Sequence, residues 1–260
     1  MSSVILVHGA WGGGWMWRRV ADRLIAAGHR VFCPTLTGLG ERSHLASPQV
    51  TLETHIADIA NLIRWEGLEN AVLVGHSYAG FVISGVAEIV SSATLDAVVY
   101  FDAFLPADGT CVADYVPVPS DVSGELPDWL VPPIPAAPPR SHAPDCDWLN
   151  GLRSPQPRAT FTQSVRITGA FERVPRKVYV LATGYPSPFV RFAEPLRARP
   201  GWYVHEIPSG HDLMLSHPDE IAAILIEAAA EGDAQCRHYF PALHLRNLAT
   251  DNGEKTWQAQ

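Results

Sequence analysis

An α/β domain built on a mostly parallel sheet is predicted by three features of this chain. Short apolar runs rich in β-branched residues recur along it, helical patterns alternate with them, and 260 residues suffice for one large core. The expected strands are residues 4–7 (VILV), 30–33 (RVFC), 71–74 (AVLV), 97–101 (AVVYF), 177–182 (KVYVLA) and 202–207 (WYVHEI). The expected helices are 15–27, 53–66, 78–90 and 218–230, each with apolar positions at a 3.6-residue period; Ile56, Ile59, Leu62 and Ile63 share one face of the second. Nearly continuous apolar strands have both faces buried, which implies about six mostly parallel strands, right-handed crossovers and helices on both sides. Ligands then belong at the carboxyl ends of the strands.

The alternation stops between about 105 and 160, where VPVPSDVSGELPDWLVPPIPAAPPR is too rich in proline for a continuous helix or a central strand. Following a strand end directly, this Pro-rich segment is expected to be a lid or cap insertion, with a plain surface loop as the alternative. Residues 1–260 are thus read as one domain, with 105–160 inserted in it and 232–260 a C-terminal extension.

Composition narrows the partners. A net charge of −8 with no Lys/Arg-rich run argues against nucleic acid or an anionic membrane as main partner, and favours a small ligand that is not strongly anionic. Cys33, Cys111, Cys146 and Cys236 are scattered without a CxxC pair, so neither a metal site nor a disulfide framework is expected. A cytoplasmic setting fits this pattern, and no apolar run is long enough to span a bilayer. No cofactor is called for, and the sequence leaves a homodimer open.

The stretch AVLVGHSYAGF, residues 71–81, carries the chemistry. A β-branched run enters a small-x-Ser-x-small turn that opens a helical pattern. Such a sharp strand-to-helix turn holds a serine in a strained backbone conformation, and only small residues fit at positions 75 and 79. Ser77 is therefore the candidate nucleophile. Ala79 stands where glycine is usual, and Gly80 follows one residue late. After the first strand, HGAWGGG forms a loop from which the Ala10 amide can point into the crevice; with the Tyr78 amide it makes a candidate oxyanion hole. A phosphate cradle is disfavoured because no Lys-Ser/Thr follows the glycines. His211, in PSGHDLMLSHP between the last strand and the last helix, is the candidate general base. His76 is assigned a packing role, on the ground that neighbouring side chains diverge at such a turn.

The acid is less plainly marked. The loop after KVYVLA contains no carboxylate, and Glu194 lies further on, in a helix. Asp102 ends the strand AVVYFD and is the expected partner of His211, although capping the entry to the insertion is an alternative role. Asp108 and Asp212 are poorer candidates. Trp11, Phe104, Trp129 and Phe189 are expected to wall the substrate pocket, though for any one tryptophan core packing is the simpler reading.

HGAWGGGWMW, GHSYAG and GHDLMLSHP together resemble the α/β-hydrolase superfamily, and within it the plant methylesterase and hydroxynitrile lyase branch with similar small bacterial esterases. The resemblance covers residues 4–104 and 177–230. It implies Ser77 as nucleophile, His211 as base, and Ala10 and Tyr78 as oxyanion donors. Two departures stand out. The plant enzymes have their aspartate after the later strand, which makes Asp102 a relocation. The lyases have threonine in place of Gly9 and lysine in place of Asp212, so cyanohydrin cleavage is not expected. The activity implied is serine-mediated hydrolysis of a small apolar or aromatic ester or lactone. Carbon–carbon hydrolysis, or a non-catalytic binder on the same fold, is the alternative.

Overall fold

The computed structural model describes residues 2–90 and 94–230; the expected extension at 232–260 lies outside them. In chain order the elements are β1 Ser3–Val7, α1 Arg18–Ala26, β2 Arg30–Phe32, α2 Leu52–Trp65, β3 Ala71–His76, α3 Ala79–Ile89 and β4 Leu95–Phe101. Short pieces follow: β5 Leu130–Val131, α4 Cys146–Leu152, β6 Gln156–Pro157 and α5 Ala159–Thr162. The chain then returns to the main sheet with β7 Arg176–Ala182, α6 Val190–Leu196, β8 Trp202–Ile207, α7 Leu213–Ser216 and α8 Pro218–Ala229.

The main sheet has six strands in the order β2-β1-β3-β4-β7-β8, and every pairing in it is parallel. The period-2 alternation of a strand divides its residues between two cores. Ile5, Val7, Leu73, Val98, Tyr100, Tyr179 and Leu181 face α2, α3 and α6. Val4, Leu6, Val72, Val74, Ala97, Val99 and Val180 face α1 and α8. This two-sided burial is why the strands read as unbroken apolar runs rather than alternating ones. Helix α2 starts at a reciprocal cap, in which Thr51 and Thr54 each accept the other's amide proton.

The helix expected from residue 15 begins instead as a 3₁₀ turn, Gly14–Trp17. Gly14 explains the tight entry, because a Cβ there would lie 2.0 Å from the Cys33 carbonyl oxygen. Gly80 is required for the same reason: a Cβ on it would lie 1.9 Å from the carbonyl oxygen of Phe104. The glycine displaced by one position in the serine motif thus seats α3 against the chain leaving β4.

The segment between β4 and β7 contains more order than its prolines imply. β5 and β6 pair antiparallel, and Arg158 donates its amide to the Trp129 carbonyl beside them. Arg19 of α1 holds Asp145 through a two-pronged ion pair at 2.6 and 2.9 Å, and Trp148 packs edge-on against Trp15.

Candidate active site

Three segments converge at the carboxyl end of the sheet. Ser77 follows β3 with φ +55°, a left-handed conformation that costs a non-glycine residue about 1–3 kcal/mol unless its surroundings hold it. Here the Ser77 amide donates to the Phe101 carbonyl, and its own carbonyl accepts from Gly80 and Phe104. Gly75 leaves room for the turn, since a Cβ there would approach the Ala79 carbonyl oxygen to 2.8 Å.

Asp102, one strand over, is also left-handed at φ +41° and fully buried. His211 Nδ1 lies 2.6 Å from Asp102 Oδ2. Tyr185 donates its hydroxyl to the same oxygen at 2.5 Å, while Ser187 Oγ and the Ala182 amide donate to Oδ1 at 3.0 and 3.3 Å. Every lone-pair direction of a carboxylate with no access to water is thereby engaged, as burial of a charge requires. A carboxylate only accepts, so His211 Nδ1 donates to Asp102 and Nε2 is the nitrogen turned away from it.

His211 and Ser77 line one small cavity together with Gly9, Ala10, Trp11, Met16, His76, Arg140, Arg153 and Asp212. Among the described residues no hydrogen bond joins Ser77 Oγ to His211 Nε2. Nor do the amides of Ala10 and Tyr78 donate to any acceptor among those residues, so both are available at the cavity.

Two neutral imidazoles brace the loops around the serine, through Gly9 and Tyr78. His8 Nδ1 donates to the Gly9 carbonyl at 2.7 Å and Nε2 accepts from the Leu36 amide at 3.0 Å. His55 donates from Nε2 to the Thr37 carbonyl and accepts the Tyr78 hydroxyl at Nδ1, both at 2.9 Å. Burial pushes each down to about 4, so both are uncharged at neutral pH.

A family model described as the alpha/beta hydrolase family matches residues 4–224. This chain belongs to that family. The hydrolase is 42% identical to the carbendazim hydrolyzing esterase of Nocardioides sp. (strain SG-4G) over 236 residues, which is 85% of this chain and 97% of that protein. It is 34% identical to salicylic acid-binding protein 2 of Nicotiana tabacum over 105 residues, 39% of either chain. In fold it is similar to a methylesterase from Arabidopsis, with a TM-score of 0.71, 23% identity and coverage of 88% of this chain and 98% of that one.

Not every residue singled out in the sequence reaches the cavity of this hydrolase. Trp11 lines it, but its indole N–H is also tied to the Val131 carbonyl. Phe189 lies behind the imidazole, stacked on the His211 ring at 5.3 Å, and Phe104 packs edge-on against Phe189. Both are buried and neither lines this cavity, because the chain leaving β4 and the loop after β7 each turn their aromatic rings inward. Trp129 is not among the cavity-lining residues and sits on the β5 side of the intervening segment. Glu194 is exposed and pairs with Arg197 in its own helix.

His76 has the packing role expected of it, and it also faces the cavity that Ser77 lines. Its ring lies 4.4 Å from that of His211 and donates from Nε2 to the His211 carbonyl at 2.9 Å, so it packs and also lines the cavity. Sequence reasoning missed Tyr185 and Ser187, whose GYPSPF context reads only as a turn. It also missed the buried Arg153–Asp212–Ser141 cluster beside His211, in which Arg153 Nη2 meets Asp212 at 3.2 Å and Ser141 Oγ donates at 2.5 Å.

Proposed function

We propose that this esterase-like hydrolase cleaves a carboxylic ester, or a lactone, of a small apolar or aromatic molecule through an acyl-enzyme formed on Ser77. The observation that carries the reading is the Asp102–His211 contact at 2.6 Å, which leaves Nε2 free in the cavity that Ser77 shares. Nε2 takes the Ser77 proton as Oγ attacks the carbonyl carbon, and returns it to the leaving oxygen as the acyl-enzyme forms. The same nitrogen then deprotonates water to release the acid. The missing Oγ–Nε2 hydrogen bond is compatible with this course, since such contacts tighten when substrate arrives.

The Ala10 and Tyr78 amides stabilise the tetrahedral oxyanion, a role supported by their lack of other acceptors. Asp102 fixes the imidazole tautomer, and Tyr185 and Ser187 hold Asp102. Trp11, Met16 and His76 form the near wall around the substrate. Residues 105–160 act as a lid, a role supported by their position after β4 and by the bonds that join them to Trp11. A cytoplasmic, reducing setting is supported by the free thiols of Cys33, Cys111 and Cys146. Among the described residues no helix is long and apolar enough to cross a membrane.

The test is active-site labelling. A fluorophosphonate probe should modify the wild-type protein at Ser77 and spare Ser77→Ala, and p-nitrophenyl acetate should give a burst of one equivalent per labelled site. A protein that neither turns over this ester nor takes the label is a binder, not a hydrolase.

A further inference from the structure

The cavity beside Ser77 carries more positive than negative charge. Arg140 and Arg153 both line it. Arg153 is buried, its side chain 7% exposed, and it spends Nη2 on Asp212 and Nη1 on the Ile134 carbonyl. Its Nε, also buried, has no partner. Among the described residues no carboxylate or carbonyl pairs with the Arg140 guanidinium, although the Arg140 carbonyl is fixed by the His211 amide at 2.6 Å. Arg140 is near enough to disfavour the charged forms of Arg153 and His76.

The negative charges nearby are already engaged. Asp212, 1% exposed, is taken by Arg153 and Ser141. Asp102 lies behind His211 under Tyr185 and Ser187. A buried N–H without an acceptor costs about 1–3 kcal/mol, so an orphan guanidinium nitrogen beside an unpaired guanidinium is a site built for an acceptor brought from outside. A planar carboxylate matches such donors in shape and charge.

We propose that Arg140 and Arg153 form a subsite for a carboxylate, and that the preferred ester carries one within a few bonds of its scissile carbonyl. This rests on the hydrolase reading above and narrows its substrate class, against the expectation drawn from the overall negative charge. The local balance decides it, because charges farther away than about 10 Å are screened.

The test uses two pairs of esters, each pair differing only in whether the carboxylate is free or methylated. p-Nitrophenyl hemisuccinate and its methyl ester place the group on the acyl side. 4-Carboxyphenyl acetate and its methyl ester place it on the leaving side. At least one free acid should exceed its methyl ester in kcat/KM by about tenfold or more, the worth of one charge-assisted contact. That ratio should fall towards one in Arg140→Gln, recover in part in Arg140→Lys, and decline in the wild type as salt is raised. Ratios near one for both pairs, or a ratio indifferent to salt and to Arg140, would overturn the proposal.

If no ester is turned over and Ser77 is not labelled, the hydrolase reading fails separately. The subsite is then read by calorimetry on Ser77→Ala. Monomethyl succinate should bind at least about tenfold more tightly than dimethyl succinate; equal binding overturns the proposal.

Discussion

The two sides of the cavity are made in different ways. On the serine side, His8 to Trp11 and His76 to Gly80 are short contiguous stretches, each held by the strand it leaves. On the histidine side, Asp102, Tyr185, Ser187 and His211 come from three loops, and the Asp102–His211 contact spans 109 positions of sequence. The serine side is fixed by local backbone geometry, which a few small residues dictate. The histidine side exists only when β4, β7 and β8 are in register, so it reports on the whole sheet.

The largest expected effect falls on the long-range side. Asp102→Asn places an amide where Oδ2 now accepts from both His211 and Tyr185, and favours the wrong imidazole tautomer. A burst assay should show acylation slowed by about 10⁴-fold, while Glu194→Gln, altering an exposed residue paired within α6, should change it little. Comparable losses in both variants would refute the assignment of the acid.

Acid unfolding probes the serine side. His8 and His55 are pushed down to about 4 by burial, and His76 is lowered well below its usual value by burial and by the neighbouring His211. The unfolded chain takes up these protons near pH 6.5, so unfolding gains protons below that pH. Stability should therefore be full above about pH 6.5 and fall as pH drops towards 4, by on the order of 3 kcal/mol for each of His8 and His55. Urea unfolding at several pH values reads the decline, which should be shallower in His55→Gln. An unchanged slope in that variant would show that the His55 imidazole does not contribute.

Tyr185→Phe should have a smaller effect than either. It removes one of the donors to Asp102 and leaves the Ser187 and Ala182 bonds in place, so kcat should fall by about tenfold with KM little changed. A pure loss in KM would instead mean that Tyr185 contacts substrate.

What could be read in the sequence follows the same division. The six strands, the main helices and the serine turn are legible because a 2- or 3.6-residue period and a run of small residues are local signals. The contact of Asp102 with His211 could be anticipated because the loop after β7 lacks a carboxylate and the end of β4 lies within reach of the same crevice. Tyr185 and Ser187 could not, since hydroxyl residues among prolines serve turns far more often than they serve carboxylates. That Phe104 and Phe189 lie outside the lining of the Ser77 cavity could not be read either, because residue type says that an aromatic ring will be buried without saying what it is buried against. Arg140 and Arg153 sit among prolines and polar residues with no period to reveal that they share a cavity.

Trp11 fastens the serine side to the segment between β4 and β7. In its left-handed conformation, φ +62°, it donates its amide to Gln156 Oε1, accepts the Ser154 amide at its carbonyl and donates its indole N–H to the Val131 carbonyl. The loop that presents the Ala10 amide is therefore riveted to β5–β6 at the Val131–Gln156 pair and at the neighbouring Ser154. Grafting another protein's insertion onto this scaffold should splice within 132–153, because a cut through the rivets would tilt the peptide proposed above to receive the oxyanion.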